Sequence, residues 1–205
     1  MTVEAWIIFA LFWLVFVTTP GPNAANCIQN GMAFGFFRSL WGVAAILTQA
    51  TAFLLLSAAG VGAVIAAAPE AFFWMQIGGA GLLVWLGVRG WLRASAKVTL
   101  PDSAGSIYGR ALLIATVNAK SLAGYIAAFS QFVQPDVPIW GQMGVILPTA
   151  LTLTALSYVS YTALGAGLGR AAMSAVFSAW LRRALSGCFV LYGAALGGAA
   201  WYGRS

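Results

Sequence analysis

The chemistry of this 205-residue chain starts at Lys120, a lone charge between the uncharged runs 111–119 and 121–135. It lies about nine residues inside an apolar segment, roughly 13 Å at the helical rise. A lysine at that depth costs at least about 2.5 kcal/mol to insert into a bilayer, which marks it as a functional position by default. Its ammonium suits a substrate carboxylate. The blander reading, a side chain snorkelling to the interface, is limited by its reach. The four asparagines gather at two places: Asn118 just before Lys120, and Asn23, Asn26 and Asn30 near the N-terminus. Spacings of three and four put the latter three on one helix face. Buried amides need partners, so the stripe either lines a substrate path or caps a broken helix and bonds across to its neighbours.

Other polar groups follow helical spacing. Gly124, Ala127 and Gln131 share the Lys120 face, where small residues leave room for a ligand or for a closely packed helix. Thr154, Ser157, Tyr158 and Tyr161 form a second stripe, whose hydroxyls and rings suit an ammonium or interhelical packing; Thr48, Gln49 and Thr51 are weaker candidates. What is missing narrows the substrate. Glu4, Glu70, Asp102 and Asp136 all lie outside the middle of any apolar run, so nothing there would neutralise a second positive charge. A neutral or zwitterionic ligand is favoured over a dibasic one, and any proton coupling would fall on Lys120 itself. There is no histidine and no Cys-x-x-Cys, so no metal or cofactor set is expected, and no enzyme. Cys27 and Cys188 read as small buried hydrophobes or, alternatively, as the two thiols of a transmembrane relay.

These residues must be positioned by membrane helices. The chain is 61% hydrophobic and 7% charged, against roughly 25% charged in globular proteins. Its uncharged runs, 5–37, 39–69, 71–88, 111–119 with 121–135, 137–169 and 184–203, make room for six spans at about 20 residues each. Helices are expected near 4–35 (interrupted), 39–67, 70–93, 109–134, 138–168 and 182–203. The +6 charge does not signal nucleic acid, since no basic cluster is interleaved with stacking aromatics. Arg38, Arg89, Arg93, Lys97, Arg110, Arg170, Arg182 and Arg183 fall in alternate loops, whereas Arg204 falls on the opposite side. By the positive-inside rule those loops are cytoplasmic and both termini lie outside. Glu4 and the missing basic n-region argue against a cleaved signal peptide. Gly165–x3–Gly169 and Gly193–x3–Gly197 suit packing or a homodimer contact.

The only long polar stretch, 94–108 with Pro101–Asp102 and Ser103–Ala104–Gly105, divides the chain into halves of three spans. An odd number inverts the second half relative to the first, the geometry of inverted-repeat transporters with a site at discontinuous helices. Each half then opens on a disturbed span. Pro20, Gly21 and Pro22 interrupt the first, and the helix that restarts after Pro22 would turn backbone donors toward an anion. Asn118–Ala119–Lys120 marks the second.

At these residues the chain resembles the lysine-exporter (LysE) superfamily, in its homoserine/threonine-efflux-like (RhtB) branch. Thr19–Pro20–Gly21–Pro22–Asn23 matches the opening signature, followed by Gly31, Gly35, Gly42 and Gly60. Asn118–Ala119–Lys120 and Ser130–Gln131–Phe132 match the family's Asn-Pro-Lys and Pro-Gln-Phe segments, with Ala119 and Ser130 in place of proline, so that span 4 is less obliged to break. The likeness covers essentially the whole chain. It implies an all-α membrane protein of six transmembrane helices, arranged as two inverted repeats (about 1–94 and 109–205, joined by a loop at about 95–108) within one transporter domain. It also implies a secondary exporter of a small amino acid across the inner membrane; together with the spacings above, the expected substrate site comprises Pro20, Gly21, Pro22, Asn23, Asn26, Asn30, Asn118, Lys120, Gln131, Tyr158 and Tyr161. The thiol relay and an inactive membrane scaffold are the competing readings.

Overall fold

The computed structural model describes residues 2–96 and 106–202. Lys97, the turn signals at 101–105 and Arg204 lie outside the described residues. Nine helices make up the described chain, and no strand is present among the described residues. α1 (Val3–Thr18) opens on Thr2, whose hydroxyl accepts from Ala5 N at 3.2 Å. It ends where Pro20 forbids continuation: Thr19 is extended at φ −67°, ψ 119°. α2 (Pro22–Phe34) restarts with proline at its first position, where the missing N–H costs nothing. The two helices meet at 57°.

Gly35, at φ 74°, turns the chain into α3 (Phe36–Ala67), a left-handed conformation that favours glycine. α4 (Pro69–Leu92) follows. After the polar stretch, α5 (Ile107–Thr116) is capped by Ser106, which accepts from Gly109 N at 3.0 Å. α6 (Ala119–Phe132) leads to α7 (Ile139–Leu168), then α8 (Arg170–Val176) and α9 (Ala179–Tyr202). α5 and α6 also meet at 57°, so the second half breaks without the proline. Asn118 supplies the break instead: it is extended at φ −73°, ψ 102°, and its side chain accepts from Lys120 N at 3.1 Å. That is ordinary N-cap chemistry.

Four helices (α3, α4, α7 and α9) are long and apolar enough to cross a bilayer, and the number rises to six when each bent pair is counted as one span. This is an all-helical, multi-pass membrane protein. α8 was not expected, and α9 starts three residues before the expected 182, because Gly169 at φ 54° ends α7 sharply and lets a short helix form.

Packing supplies the cohesion that the hydrophobic effect cannot give inside lipid. α3 lies on α7 and α4 on α9, while α5 packs on α3 as α1 packs on α7. α1 carries the aromatic centre: Phe9, Phe12, Trp13 and Phe16 are buried against Tyr125, Phe129, Phe132 and Phe189. Trp13 Nε1 donates to Ala150 O at 3.0 Å and to Thr154 Oγ1 at 3.1 Å. Close backbone approach fixes the rest. A Cβ on Gly165 would run into the Ile28 backbone of α2, and one on Gly193 would meet Ala80 O at 2.7 Å on α4. Gly165 and Gly193 therefore serve contacts inside the chain. Leu56, Phe37, Trp180 and Leu191 are exposed, as lipid-facing residues should be.

Candidate functional site at the two helix breaks

A cavity of about 480 Å³ opens where the broken helices meet. Its deep end is lined by Thr19, Pro20, Gly21, Pro22, Asn118 and Lys120, and its mouth by Trp85, Arg89, Arg93 and Arg182. Both interrupted segments expected from the sequence thus contribute to one space.

The floor is built by unmet backbone. Ending α1 at Thr18 strips four carbonyls, Phe16 to Thr19, of intrahelical donors. Each is met from another helix. Lys120 Nζ donates to Phe16 O at 2.7 Å and to Thr19 O at 2.6 Å. Ser157 Oγ donates to Val17 O at 3.1 Å, and the Tyr161 hydroxyl donates to Thr18 O. Lys120 therefore does not snorkel. Its charge sits at the negative end of the α1 dipole, where a cation is stabilised, and 5.1 Å over the Phe16 ring. An ammonium carries three donors, so two carbonyls leave one for a ligand. Opposite it, α2 begins at Gly21 without a side-chain cap, leaving the N–H groups of its first turn and a positive dipole end beside the cavity.

The other expected site residues divide into two groups. Asn23, Asn26 and Asn30 are 1–4% exposed on α2 and line no part of the cavity. They do not cap the break: Asn23 Oδ1, both polar atoms of Asn26 and Asn30 Nδ2 have no protein partner. Tyr158 packs behind them in the cluster of Ala24, Cys27 and Ile28. Gln131 lies away from the cavity, its amide donating to the Gln76 carbonyl of α4. The small residue beside Lys120 admits a helix rather than a ligand, because a Cβ on Gly124 would enter the Phe16 ring. Thr154 accepts the Trp13 indole, and Thr48 accepts from the Tyr108 hydroxyl at 2.9 Å. Cys27 and Cys188 are both free thiols, the first buried beside Ile28 and Tyr161, the second half-buried on α9.

Sequence reasoning missed the mouth. Arg89 and Arg93 were read only as topology signals, although their spacing of four puts Arg89 in the last turn of α4 and Arg93 at its C-cap, one turn on. Arg89 stacks 4.9 Å over Trp85. Arg182 Nη1 donates to Ala94 O and Ala96 O, each at 2.7 Å, which ties α9 to the end of α4. Among the described residues the lining contains four cations, Lys120, Arg89, Arg93 and Arg182, and no carboxylate. No cluster of three His, Cys, Asp or Glu able to hold a metal is found among the described residues.

Comparison with known proteins agrees with this architecture. An uncharacterized membrane protein of Vibrio cholerae is 33% identical over 83% of this chain and 85% of its own. A homoserine/homoserine lactone efflux protein of Salmonella typhimurium is 25% identical over 97% of this chain and 98% of its own. A leucine efflux protein of the same organism is 27% identical over 72% of each chain. No solved structure matches. The family described as LysE type translocator matches residues 14–199. The chain, with its two broken spans around one cationic cavity, belongs to the LysE family of translocators, proteins of efflux rather than catalysis.

Proposed function

We propose that this protein is a secondary exporter carrying a small neutral or zwitterionic amino acid, or a close derivative, out across the cytoplasmic membrane. The observation that carries the reading is the cavity at the two helix breaks. A space of about 480 Å³ falls within the usual range for small-ligand sites, and its polar groups match both ends of an amino acid. The carboxylate meets the uncapped start of α2 and the third donor of Lys120. The ammonium meets the negative end of α5 at Val117, which also lines the cavity. With four cations and no acidic side chain among the described lining residues, a neutral or zwitterionic substrate is favoured over a dibasic one. The relatives named for homoserine and leucine efflux carry amino acids of the favoured class.

The two halves, about 1–94 and 109–205, act as inverted repeats. Exchanging them turns the α3–α5 contact into the α7–α1 contact and pairs α3 with α7 and α4 with α9. The cavity mouth lies on the basic face at Arg89, Arg93 and Arg182. With that face cytoplasmic and both termini outside, the chain stands open to the cell interior, and rocking of one half against the other would open the opposite side. Binding also has a built-in trigger. A carboxylate that pairs with Lys120 competes with the α1 carbonyls and loosens the joint between α1 and α2. Any proton coupling would have to use Lys120, the one ionisable cation at the floor.

Proteoliposomes preloaded with unlabelled homoserine, leucine or lysine and given the same labelled compound outside test the reading by counterflow. Homoserine or leucine should exchange and lysine should not. Exchange of lysine alone, or of none of the three, would overturn the substrate class.

A further inference from the structure

Six buried side-chain atoms along α2 and α3 have no protein partner: Asn23 Oδ1, Asn26 Oδ1 and Nδ2, Asn30 Nδ2, and Gln49 Oε1 and Nε2; elsewhere on its amide, Asn23 bonds to Tyr158 of α7. The four residues are 1–4% exposed. Register brings them together. α2 and α3 run back from Gly35, and a Cβ on Gly42 would come within 3.1 Å of Asn30 Nδ2, which places Asn30 opposite Gly42. Two turns further along each helix, on the same faces, stand Asn23 and Gln49, with Asn26 between. α5 closes the side, since that same Cβ would lie 3.5 Å from Ile107 and 3.7 Å from Ala111. Arg110 Nε, adjacent in sequence to Ala111, is a further buried atom without a partner. A row of unmet donors and acceptors thus runs from Asn23 at the helix break to Asn30 opposite Gly42. Asn23, Asn26, Asn30 and Gln49 are absent from the cavity lining.

We propose that this seam is a binding site for a single file of ordered water, a second polar route to the helix break separate from the substrate cavity. So many buried polar atoms left dry would rival the stability of the whole fold. A carboxamide offers both donors and an acceptor, so a water lodged between two of them finds the several partners that buried water requires. Ala24, Ile28, Val43, Ile46 and Ala115 of the same three helices pack into one buried cluster, which favours a ligand as small as water. The row of Asn23, Asn26, Asn30 and Gln49 is uncharged, which suits water rather than an ion. The file delivers solvent to Asn23 at the base of α2, beside the turn that Lys120 holds. This inference stands whether or not the protein exports an amino acid.

The test uses the full chain in lipid bilayers. The sequence has only four asparagines, three in the seam and Asn118 in the cavity wall, so labelling asparagine and tryptophan with nitrogen-15 gives a sparse solid-state spectrum. Polarisation transferred from water is followed over time, with Asn26→Ser and Asn30→Ser assigning the signals. The side-chain amides of Asn26 and Asn30 should build up as fast as that of Asn118, and several-fold faster than the internally bonded Trp13 indole. Gly42→Val, which fills the seam, should slow Asn30 to the Trp13 rate and leave Asn118 unchanged. Asn26 and Asn30 signals as slow as Trp13 in the unaltered chain would show a dry seam of amides paired with one another and overturn the proposal. So would an Asn30 signal that stays fast in Gly42→Val while Asn118 is unchanged.

Discussion

Replacing Lys120 by methionine separates its structural role from its transport role. Methionine keeps the length and apolar stem but strips the donors from Phe16 O and Thr19 O, now bonded at 2.7 and 2.6 Å. An orphaned buried acceptor costs about 1–3 kcal/mol. Thr19 lines the cavity, where water can replace a donor, whereas Phe16 is buried outside the lining; at the low end for each, the pair sums to about 2 kcal/mol. At about 2–4 °C per kcal/mol for a chain of this size, melting should fall by about 4–8 °C. Thermal unfolding of the purified protein in lipid nanodiscs, followed by tryptophan fluorescence, measures the shift. Lys120→Arg restores a cation with several donors and should recover much of the melting temperature without restoring transport, because its planar fork does not reproduce a point charge. A Lys120→Met protein that melts like the unaltered chain would refute the claim that this side chain holds the end of α1.

Asn118→Ala removes the cap that breaks α5 from α6 and should cost about 1 kcal/mol, with a fall in transport larger than that loss of stability explains; melting and counterflow on the same preparation check both. Gly165→Val drives a branched side chain into the Ile28 backbone and should abolish monodisperse protein on size exclusion, whereas Gly167→Val, where a Cβ meets nothing within 4 Å, should be tolerated. Cys27→Ser with Cys188→Ser should leave export intact in loaded cells. Loss of function with normal membrane insertion would revive the thiol relay.

Much of the fold could be read from residue order. Two prolines around Gly21 forbid a continuous helix, and long uncharged runs have few homes outside a bilayer. The second break was harder to read, because Ala119 removes the expected proline and the work passes to Asn118, a cap whose effect depends on φ and ψ rather than on composition. The site was half legible. Lys120 announced itself by the cost of burying a charge, but its partners did not, since the carbonyls of Phe16 and Thr19 belong to no motif and become acceptors only when α1 ends. Tyr161 and Ser157 were legible as a polar stripe, yet spacing alone cannot distinguish a stripe that meets substrate from one that satisfies a neighbouring helix. Arg89 and Arg93 were hidden by their own topology signal. Charge counting places such residues at a face, and only the packing of α4 on α9 turns that face into the rim of a cavity.

An amino acid that leaves the cell through the cavity at Lys120 must depend on that side chain for its exit. Cells loaded with a labelled amino-acid mixture, expressing either the intact chain or Lys120→Ala at equal membrane abundance, measure this directly. If that is the route, one or a few neutral amino acids leave faster with the intact chain and at the background rate with Lys120→Ala. Equal export by the two proteins would contradict it.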